Sequence, residues 1–200
     1  MTGFVSGLDL CAEFYRQAVA PLLPADLPHS AALLGSGSEV LGFDDEMSRD
    51  HSWGPSVQLF VAGVPDGLHA HLARELPVEF RGHPTHFTAA GDGNPIMTRI
   101  AEPPVDHRVV FTTMERYFRQ RLAIDFRREI PNRTWLSFPS QRLRAITAGG
   151  VFRDDLGLEA VRARLAWYPH DVWLCPVSYT HLTLPTKEDV CRWGGGGGGG

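Results

Sequence analysis

The stretch LLGSGSEVLGFDDEMSRDHSWGP, residues 33–55, decides how the chain is interpreted. An apolar run ends in Gly35-Ser36-Gly37-Ser38, and Asp50 follows fifteen residues after Gly35. Glycines let the backbone turn tightly and approach a ligand, and the free N–H groups at the start of a helix suit phosphate. The same residues also fit an ordinary strand-to-helix turn with serine caps, so both interpretations stay open. A Walker loop is excluded, because no Gly-Lys-Ser/Thr follows.

Hydrophobic spacing along the chain predicts helices interleaved with strands. The predicted strands are 31–34, 53–61, 108–113 and 150–153. The predicted helices are 7–20 with Ser6 as its cap, 39–41, 66–76 with Asp66 as its cap, 114–122, one beginning near Pro139, and 158–167. Residues 88–107 are rich in Gly and Pro and are predicted to be a loop. This order favours a mixed α/β (α+β) domain followed by a helical region.

Composition limits the classes of protein that the chain can belong to. The net charge of −4 gives no general attraction to nucleic acid or to an anionic membrane, and we expect neither as a partner. No apolar run approaches the roughly 20 residues that a membrane span needs. Three widely spaced cysteines predict reduced thiols rather than a disulfide framework, and therefore a cytoplasmic protein.

The motif segments GSGSEVLGF (35–43) and SRDHSWGP (48–55) resemble a bacterial family of unknown function in the nucleotidyltransferase superfamily, which has the polymerase-beta-like fold. The resemblance runs from about Gly7 to Leu174. It includes FTTMERYFRQRL (111–122), WLSFPSQRLRAITAGGVF (135–152) and WYPHDVW (167–173). It implies a nucleotidyltransferase-like domain with a helical segment before it and a truncated helical region after it.

Members of the superfamily carry Gly-Ser after the first strand and Asp-x-Asp or Asp-x-Glu on the next. Carried over by resemblance, Gly35 and Ser36, with Gly37 and Ser38 in the same turn, would hold a nucleoside triphosphate. Asp50 would bind Mg²⁺ and be the catalytic carboxylate. The expected cofactor is therefore Mg²⁺ with ATP or another NTP.

This chain departs from the family pattern at Ser52, where the family reads DHDWGP and a second carboxylate is expected. Residues 50 and 52 of a strand share one face about 6 to 7 Å apart, so both could reach one metal cluster. A hydroxyl is a poorer Mg²⁺ ligand than a carboxylate. The third carboxylate of the superfamily has no counterpart within residues 108–113. Asp106 and Glu115 flank that strand and are the candidates for the role.

Several other groups of residues have two interpretations. The acidic cluster Asp44, Asp45 and Glu46 could supply a metal ligand or form a solvated loop. His51 could be a general base, but a strand would point it away from Asp50. Two further sets are weighed against ordinary packing and solvation. They are a zinc site at His69, His71, His83 and His86, and a phosphate-facing surface at Arg116, Arg119, Arg121, Arg127 and Arg128.

Two functions from different classes follow from these residues. The first is a Mg²⁺-dependent nucleotidyltransferase that moves a nucleoside monophosphate from an NTP to an unknown acceptor. The alternative is a catalytically impaired nucleotide-binding or interaction module, because Ser52 replaces the expected carboxylate. The sequence therefore leaves open whether the protein is an enzyme.

The end of the chain differs in character from the rest. VSYTHLTLPT, residues 177–186, resembles the translation of a sequencing adapter, and seven glycines close the chain. We therefore expect a truncated chimera whose natural sequence stops near Cys175 or Pro176. The predicted organisation is an N-terminal helix and linker (1–27), the nucleotidyltransferase-like domain (28–155), the start of the truncated helical region (156–176) and an artefact tail (177–200).

Overall fold

The structure, a computed structural model, describes residues 5–35, 37–41, 53–89 and 95–169. The strands are β1 His29–Leu33, β2 Ser56–Val61, β3 Glu79–Phe80, β4 His83–Pro84, β5 His86–Ala89, β6 Pro95–Thr98, β7 Arg108–Thr112 and β8 Gly150–Asp154. The helices are α1 Gly7–Phe14, α2 Ser38–Leu41, α3 Leu68–Glu75, α4 Met114–Leu122, α5 Asn132–Leu136, α6 Ser140–Thr147 and α7 Leu158–Leu165. The mixed α/β class is confirmed.

The chain divides into two compact units. One contains Met1–Glu129 and Phe138–Trp167, and the other contains Ile130–Ser137 and Tyr168–Gly200. In the second unit, helix α5 carries Trp135, whose ring lies 5.6 Å from that of Tyr168. No helix within the described part of the chain has the length and apolar character needed to cross a membrane.

A four-stranded sheet with the order β7-β2-β1-β8 forms the centre of the first unit. Strand β1 pairs antiparallel with β2 and with β8, whereas β2 and β7 are parallel. Ala32 lies opposite Gln58, which in turn lies opposite Val110. The carboxyl end of β1 therefore lies beside the amino ends of β2 and β7.

Both faces of β2 are buried, as expected for a central strand. Leu59 on one face belongs to the main apolar cluster, together with Phe14 of α1 and Leu72 of α3. Successive side chains alternate between faces, so the neighbouring Phe60 points the other way. It packs edge-to-face on Tyr117 of α4, with ring centroids 5.2 Å apart. The sheet is thus covered by helices on both sides.

Most predicted elements are present, although the strand predicted over 53–61 begins at Ser56, and helix α5 and strands β3 and β4 were not predicted. The first helix keeps its Ser6 cap but changes into a π-helical turn at Tyr15–Val19 and a 3₁₀ turn at Ala20–Leu22. The prediction of Asp66 as a helix cap is wrong, because α3 begins after Gly67, whose φ is +75°. The predicted loop 88–107 is wrong in part, since β5 and β6 form an antiparallel pair there.

A buried arginine holds the carboxyl end of α6. The Arg162 side chain on α7 is 5% exposed, and its guanidinium donates hydrogen bonds to the carbonyl oxygens of Ile146 (3.0 Å), Thr147 (2.9 Å) and Ala148 (2.9 Å). The last carbonyls of a helix have no partner inside the helix. Arg162 therefore satisfies acceptors that would otherwise be buried without donors.

Gly149 follows the end of α6, in the turn that leads to β8, and lies close to the backbone of Leu33. Its φ is +75°, and a Cβ at this position would overlap the carbonyl oxygen of Leu33. Its N–H donates to the carbonyl of Val40, 3.0 Å away. Gly149 therefore joins α6 and β8 to the end of β1 and to α2.

Gly149→Ala should destabilise the protein much more than Gly157→Ala. Both glycines have nearly the same φ (+75° and +76°), but no atom lies within 4 Å of a Cβ at Gly157. The left-handed conformation alone should cost about 1–2 kcal/mol. Steric overlap should add at least about 1–3 kcal/mol at Gly149. Urea unfolding of the two variants measures the difference, and equal losses would contradict the close approach.

Asp154 at the end of β8 links the sheet to α7. Its carboxylate accepts hydrogen bonds from the Ser30 hydroxyl (2.6 Å) and from the backbone N–H groups of Leu158 (2.8 Å) and Glu159 (2.9 Å). Burial raises the pKa of the Asp154 carboxyl, but these hydrogen bonds outweigh it and leave the pKa below its usual value of 3.8. The ionised carboxylate is therefore the form that stabilises the fold.

Asp154→Asn should lower the free energy of unfolding by about 0.5–1 kcal/mol at pH 7, because the side chain is exposed and Asn keeps one acceptor oxygen but not the charge. A carboxyl with a lowered folded-state pKa contributes stability above its unfolded pKa and loses it as the pH falls through the folded pKa. The gap between wild type and variant should therefore stay constant from pH 7 to about pH 5 and narrow below about pH 4. Urea unfolding across this pH range tests it. A gap that widens in acid would contradict the assignment.

Candidate functional site

A cavity of about 310 Å³ opens in the first unit where β1 ends and β2 and β7 begin. Its volume falls at the lower end of the range for small-molecule sites. The polar side chains of its wall are Ser56, Glu39, Gln58, Arg108 and Arg121, and its apolar wall includes Leu34, Val40, Val57 and Val110. Gly35 and Gly37 complete it. The turn that the sequence singled out thus borders this cavity.

The turn itself is held by α6. Gly35 has a φ of +143°, which L side chains rarely adopt, and its N–H donates to the carbonyl of Ala145, 2.8 Å away. At the other end of the turn, the carbonyl of Val40 accepts from Gly149. The position of the turn therefore depends on the carboxyl end of α6.

Glu39 occupies part of the turn. A Cβ at Gly37 would overlap the carboxyl group of Glu39, so Gly37 provides space for that side chain. Helix α2 consists of the four residues Ser38–Leu41. An acidic side chain therefore lies next to the glycines that the sequence analysis assigned to phosphate.

Gln58 connects the centre of the sheet to the turn. Its side-chain N–H₂ donates to the carbonyl of Leu34, 2.7 Å away. The Oε1 atom of Gln58 is buried and has no hydrogen-bond partner among the described residues. A buried amide oxygen of this kind can accept a hydrogen bond from a ligand or a water molecule.

Among the described residues of the cavity wall, two arginines, Arg108 and Arg121, outnumber the one carboxylate, Glu39. The guanidinium of Arg108 lies 5.2 Å from the ring centroid of the buried Phe87, and that of Arg121 lies 5.7 Å from that of Tyr117. Stacking on rings that are themselves buried limits the movement of each guanidinium. The wall is therefore suited to an anionic group such as a phosphate.

The structure brings some of the predicted site residues together. Gly35 and Gly37 line the cavity, and Ser38 begins α2 beside it. Further predicted residues lie outside the described part of the chain, namely Ser36, Asp44, Asp45, Glu46, Asp50, His51 and Ser52. The roles assigned to these residues stay predictions.

Neither candidate for the third carboxylate borders the cavity. The backbone N–H of Asp106 donates to Nδ1 of His86 (2.9 Å), which places Asp106 beside β5. Glu115 pairs with Arg119 (2.6 Å) and Arg127 (3.6 Å). The positions of β7 that do line the cavity are Arg108 and Val110.

The described residues do not by themselves form a magnesium site. Glu39 is the one carboxylate among the described residues of the cavity wall, and Mg²⁺ commonly takes one or two carboxylates plus phosphate oxygens and waters. Across the described ranges, no group of three or more His, Cys, Asp or Glu side chains could hold a metal ion.

Two of the four histidines considered for zinc, His69 and His83, pack against other aromatic rings. The ring of His69 lies 4.4 Å from that of His107, and the ring of His83 lies 4.7 Å from that of Trp53. His107 is buried, and this burial lowers the pKa of its imidazole. These contacts explain His69 and His83 as packing residues.

The sequence analysis did not single out Glu39, Gln58 or Arg108. Gln58 interrupts the apolar strand SVQLFV, and a polar residue at the centre of a buried strand is the signal that could have identified it. Arg108 begins the next parallel strand, and its proximity to Gln58 follows only from the register of β2 with β7. Arg121 was among the basic residues weighed, and it is the one of that group on the cavity wall.

Comparison with known protein families gives a match to part of the chain. The family described as "Domain of unknown function (DUF4037)" matches residues 135–192, less than half of the chain. The matched range includes residues 177–192, which the sequence analysis assigns to a translated adapter, and that assignment stays a prediction. Neither the curated proteins nor the solved structures gave a match.

Glu39→Gln should strengthen the binding of a metal-free anion to this cavity. Removing one negative charge near two arginines should improve affinity by about threefold to tenfold, given Coulomb energies of order 1 kcal/mol between partly exposed charges. Titration of pyrophosphate in EDTA measures it, with Glu75→Gln on α3 as a control that is not on the cavity wall. Equal affinities for wild type and Glu39→Gln would contradict an anion site here.

Proposed function

We propose that the cavity beside Gly35 binds a nucleoside triphosphate and that the protein transfers a nucleoside monophosphate from it to a hydroxyl acceptor. The observation that carries this proposal is the coincidence of two features. The glycine turn after β1 is where the resemblance expects triphosphate, and the same turn borders a cavity with Arg108 and Arg121 in its wall.

The wall offers complementary groups for the parts of a nucleotide. The guanidinium groups of Arg108 and Arg121 can donate paired hydrogen bonds to phosphate oxygens. Val110 is 52% exposed although it lies on a strand, and it provides an apolar surface for a ribose or base. Gln58 Oε1 can accept a hydrogen bond from a sugar hydroxyl or base amine.

The proposed reaction forms one bond and breaks one. The acceptor oxygen bonds to the α-phosphorus, the bond from that phosphorus to the bridging oxygen of the β-phosphate breaks, and pyrophosphate leaves. The hydroxyl proton passes to solvent or to a nearby base. Magnesium would neutralise charge on the phosphates, and Asp50 is the residue that the resemblance assigns to it. The arginines would bind and orient the triphosphate.

A second candidate function is a binding module that holds nucleotide without transferring it. Ser52 in place of a carboxylate favours this alternative, as does the single carboxylate in the described wall. The two functions share the ligand and differ in the number of metal-binding carboxylates.

Replacement of Ser52 separates these possibilities. ATP and GTP are titrated with and without Mg²⁺ into the full chain, and into Ser52→Asp and Ser52→Asn. Wild type should bind nucleotide more tightly with Mg²⁺ than without it, and with Mg²⁺ Ser52→Asp should bind about tenfold more tightly than wild type, equal to about 1.4 kcal/mol. Ser52→Asn matches the size of Asp without its charge and should bind no more tightly than wild type.

Pyrophosphate release then distinguishes the enzyme from the binding module. Release by wild type with Mg²⁺, ATP and a hydroxyl acceptor supports the transferase. Release by Ser52→Asp alone supports the impaired module. If no variant binds nucleotide while circular dichroism shows native helix and strand signals, the proposed function is wrong.

A further inference from the structure

A second cavity of about 200 Å³ lies between α4 and α6 and is lined by Gln120, Arg121, Arg142 and Ala145. We propose that it binds the phosphate group of the acceptor, so that the acceptor is a small phosphate monoester with a free hydroxyl. This inference rests on the proposed function for the reaction, but the phosphate site itself can be tested separately.

The second cavity is adjacent to the first. Arg121 lines both cavities. Ala145 lines the second, and its carbonyl accepts the hydrogen bond from Gly35, which lines the first. A molecule anchored in the second cavity is therefore next to the turn where the triphosphate is proposed to bind. Transfer between an acceptor and a donor substrate requires such proximity.

The charge of the second cavity identifies the chemistry of its ligand. Neither Arg121 nor Arg142 pairs with an acid among the described residues, whereas Arg119 on the same helix as Arg121 pairs with Glu115. Among the described residues that line this cavity there are two guanidinium groups and one amide but no carboxylate. Two guanidinium groups without an acidic partner in the described part of the chain match a dianion such as a phosphate monoester better than a single carboxylate.

The two arginine side chains are exposed, but the helices that carry them are anchored in the core by buried neighbours. Arg121 lies over the ring of Tyr117, which is 6% exposed, and Arg142 precedes the buried Leu143 on α6. The carboxyl end of α6 is in turn held by Arg162. The volume of the cavity suits one phosphate group with a short carbon chain, because a drug-sized ligand needs about 300 Å³ or more.

Four variants separate the two cavities. Arg142→Gln changes the second cavity, Arg108→Gln changes the first, and Arg121→Gln changes both. Arg116→Gln is the matched control, since Arg116 is an exposed arginine on the helix of Arg121 that lines neither of these cavities. Inorganic phosphate and glycerol phosphate are titrated into the full chain with the first cavity saturated by Mg²⁺ and a non-hydrolysable ATP analogue.

Inorganic phosphate should still bind when the analogue is present, and the affinity for glycerol phosphate should be at least as high as that for inorganic phosphate. Arg142→Gln should weaken phosphate binding by about tenfold to a hundredfold, as for loss of a charge-assisted hydrogen bond, and change analogue binding less than twofold. Arg108→Gln should weaken analogue binding and change phosphate binding less than twofold. Arg121→Gln should weaken the binding of phosphate and of the analogue, and Arg116→Gln should change the binding of neither ligand.

Three results would overturn the inference. The first is an Arg142→Gln variant that binds phosphate as tightly as wild type. The second is a loss of phosphate affinity in Arg116→Gln as large as that in Arg142→Gln. The third is complete displacement of phosphate by the analogue. Failure of the proposed function is distinguishable from these. If the analogue does not bind but phosphate binds in an Arg142-dependent way, the nucleotide proposal is wrong and the phosphate site stands.

Discussion

The close approach of Gly149 to the carbonyl of Leu33 fixes the part of the molecule in which both cavities lie. Gly149 joins the end of α6 and the start of β8 to the end of β1. Its N–H also donates a hydrogen bond to the carbonyl of Val40 in α2. Arg162 secures the same helix end from α7. The glycine turn at Gly35 is therefore positioned by a segment more than 100 residues later in the chain.

The charges around this turn have opposite signs, and their arrangement limits which ligands can bind. Arg108 and Arg121 stack on buried aromatic rings, while the Glu39 carboxyl group lies beside Gly37. An anion that approaches the arginines directly is opposed by Glu39. An anion that carries a metal ion would instead find in Glu39 an additional oxygen ligand. On the proposed function, the same glutamate would therefore favour metal-bound phosphate over free phosphate.

Local patterns predicted the elements, whereas the cavity depends on contacts that no local pattern contains. The buried run near Ala31 and the alternation through Leu59 were sufficient to locate two central strands. The pair β5–β6 was missed because Gly and Pro in that region indicated a loop. Arg108 and Gln58 lie near the turn because of the register between β2 and β7. Arg121 lies near it because α4 packs on Phe60. Such long-range geometry follows from the assembled sheet.

Hydrogen–deuterium exchange of the full chain with and without Mg²⁺ and an ATP analogue tests the central claim most directly. If the cavity beside Gly35 is the ligand site, peptides that cover the turn and the amino ends of β2 and β7 should exchange more slowly with ligand. Peptides from β5 and β6 provide an internal comparison and should change little. Slower exchange confined to other elements, with no change at the turn, would contradict the account.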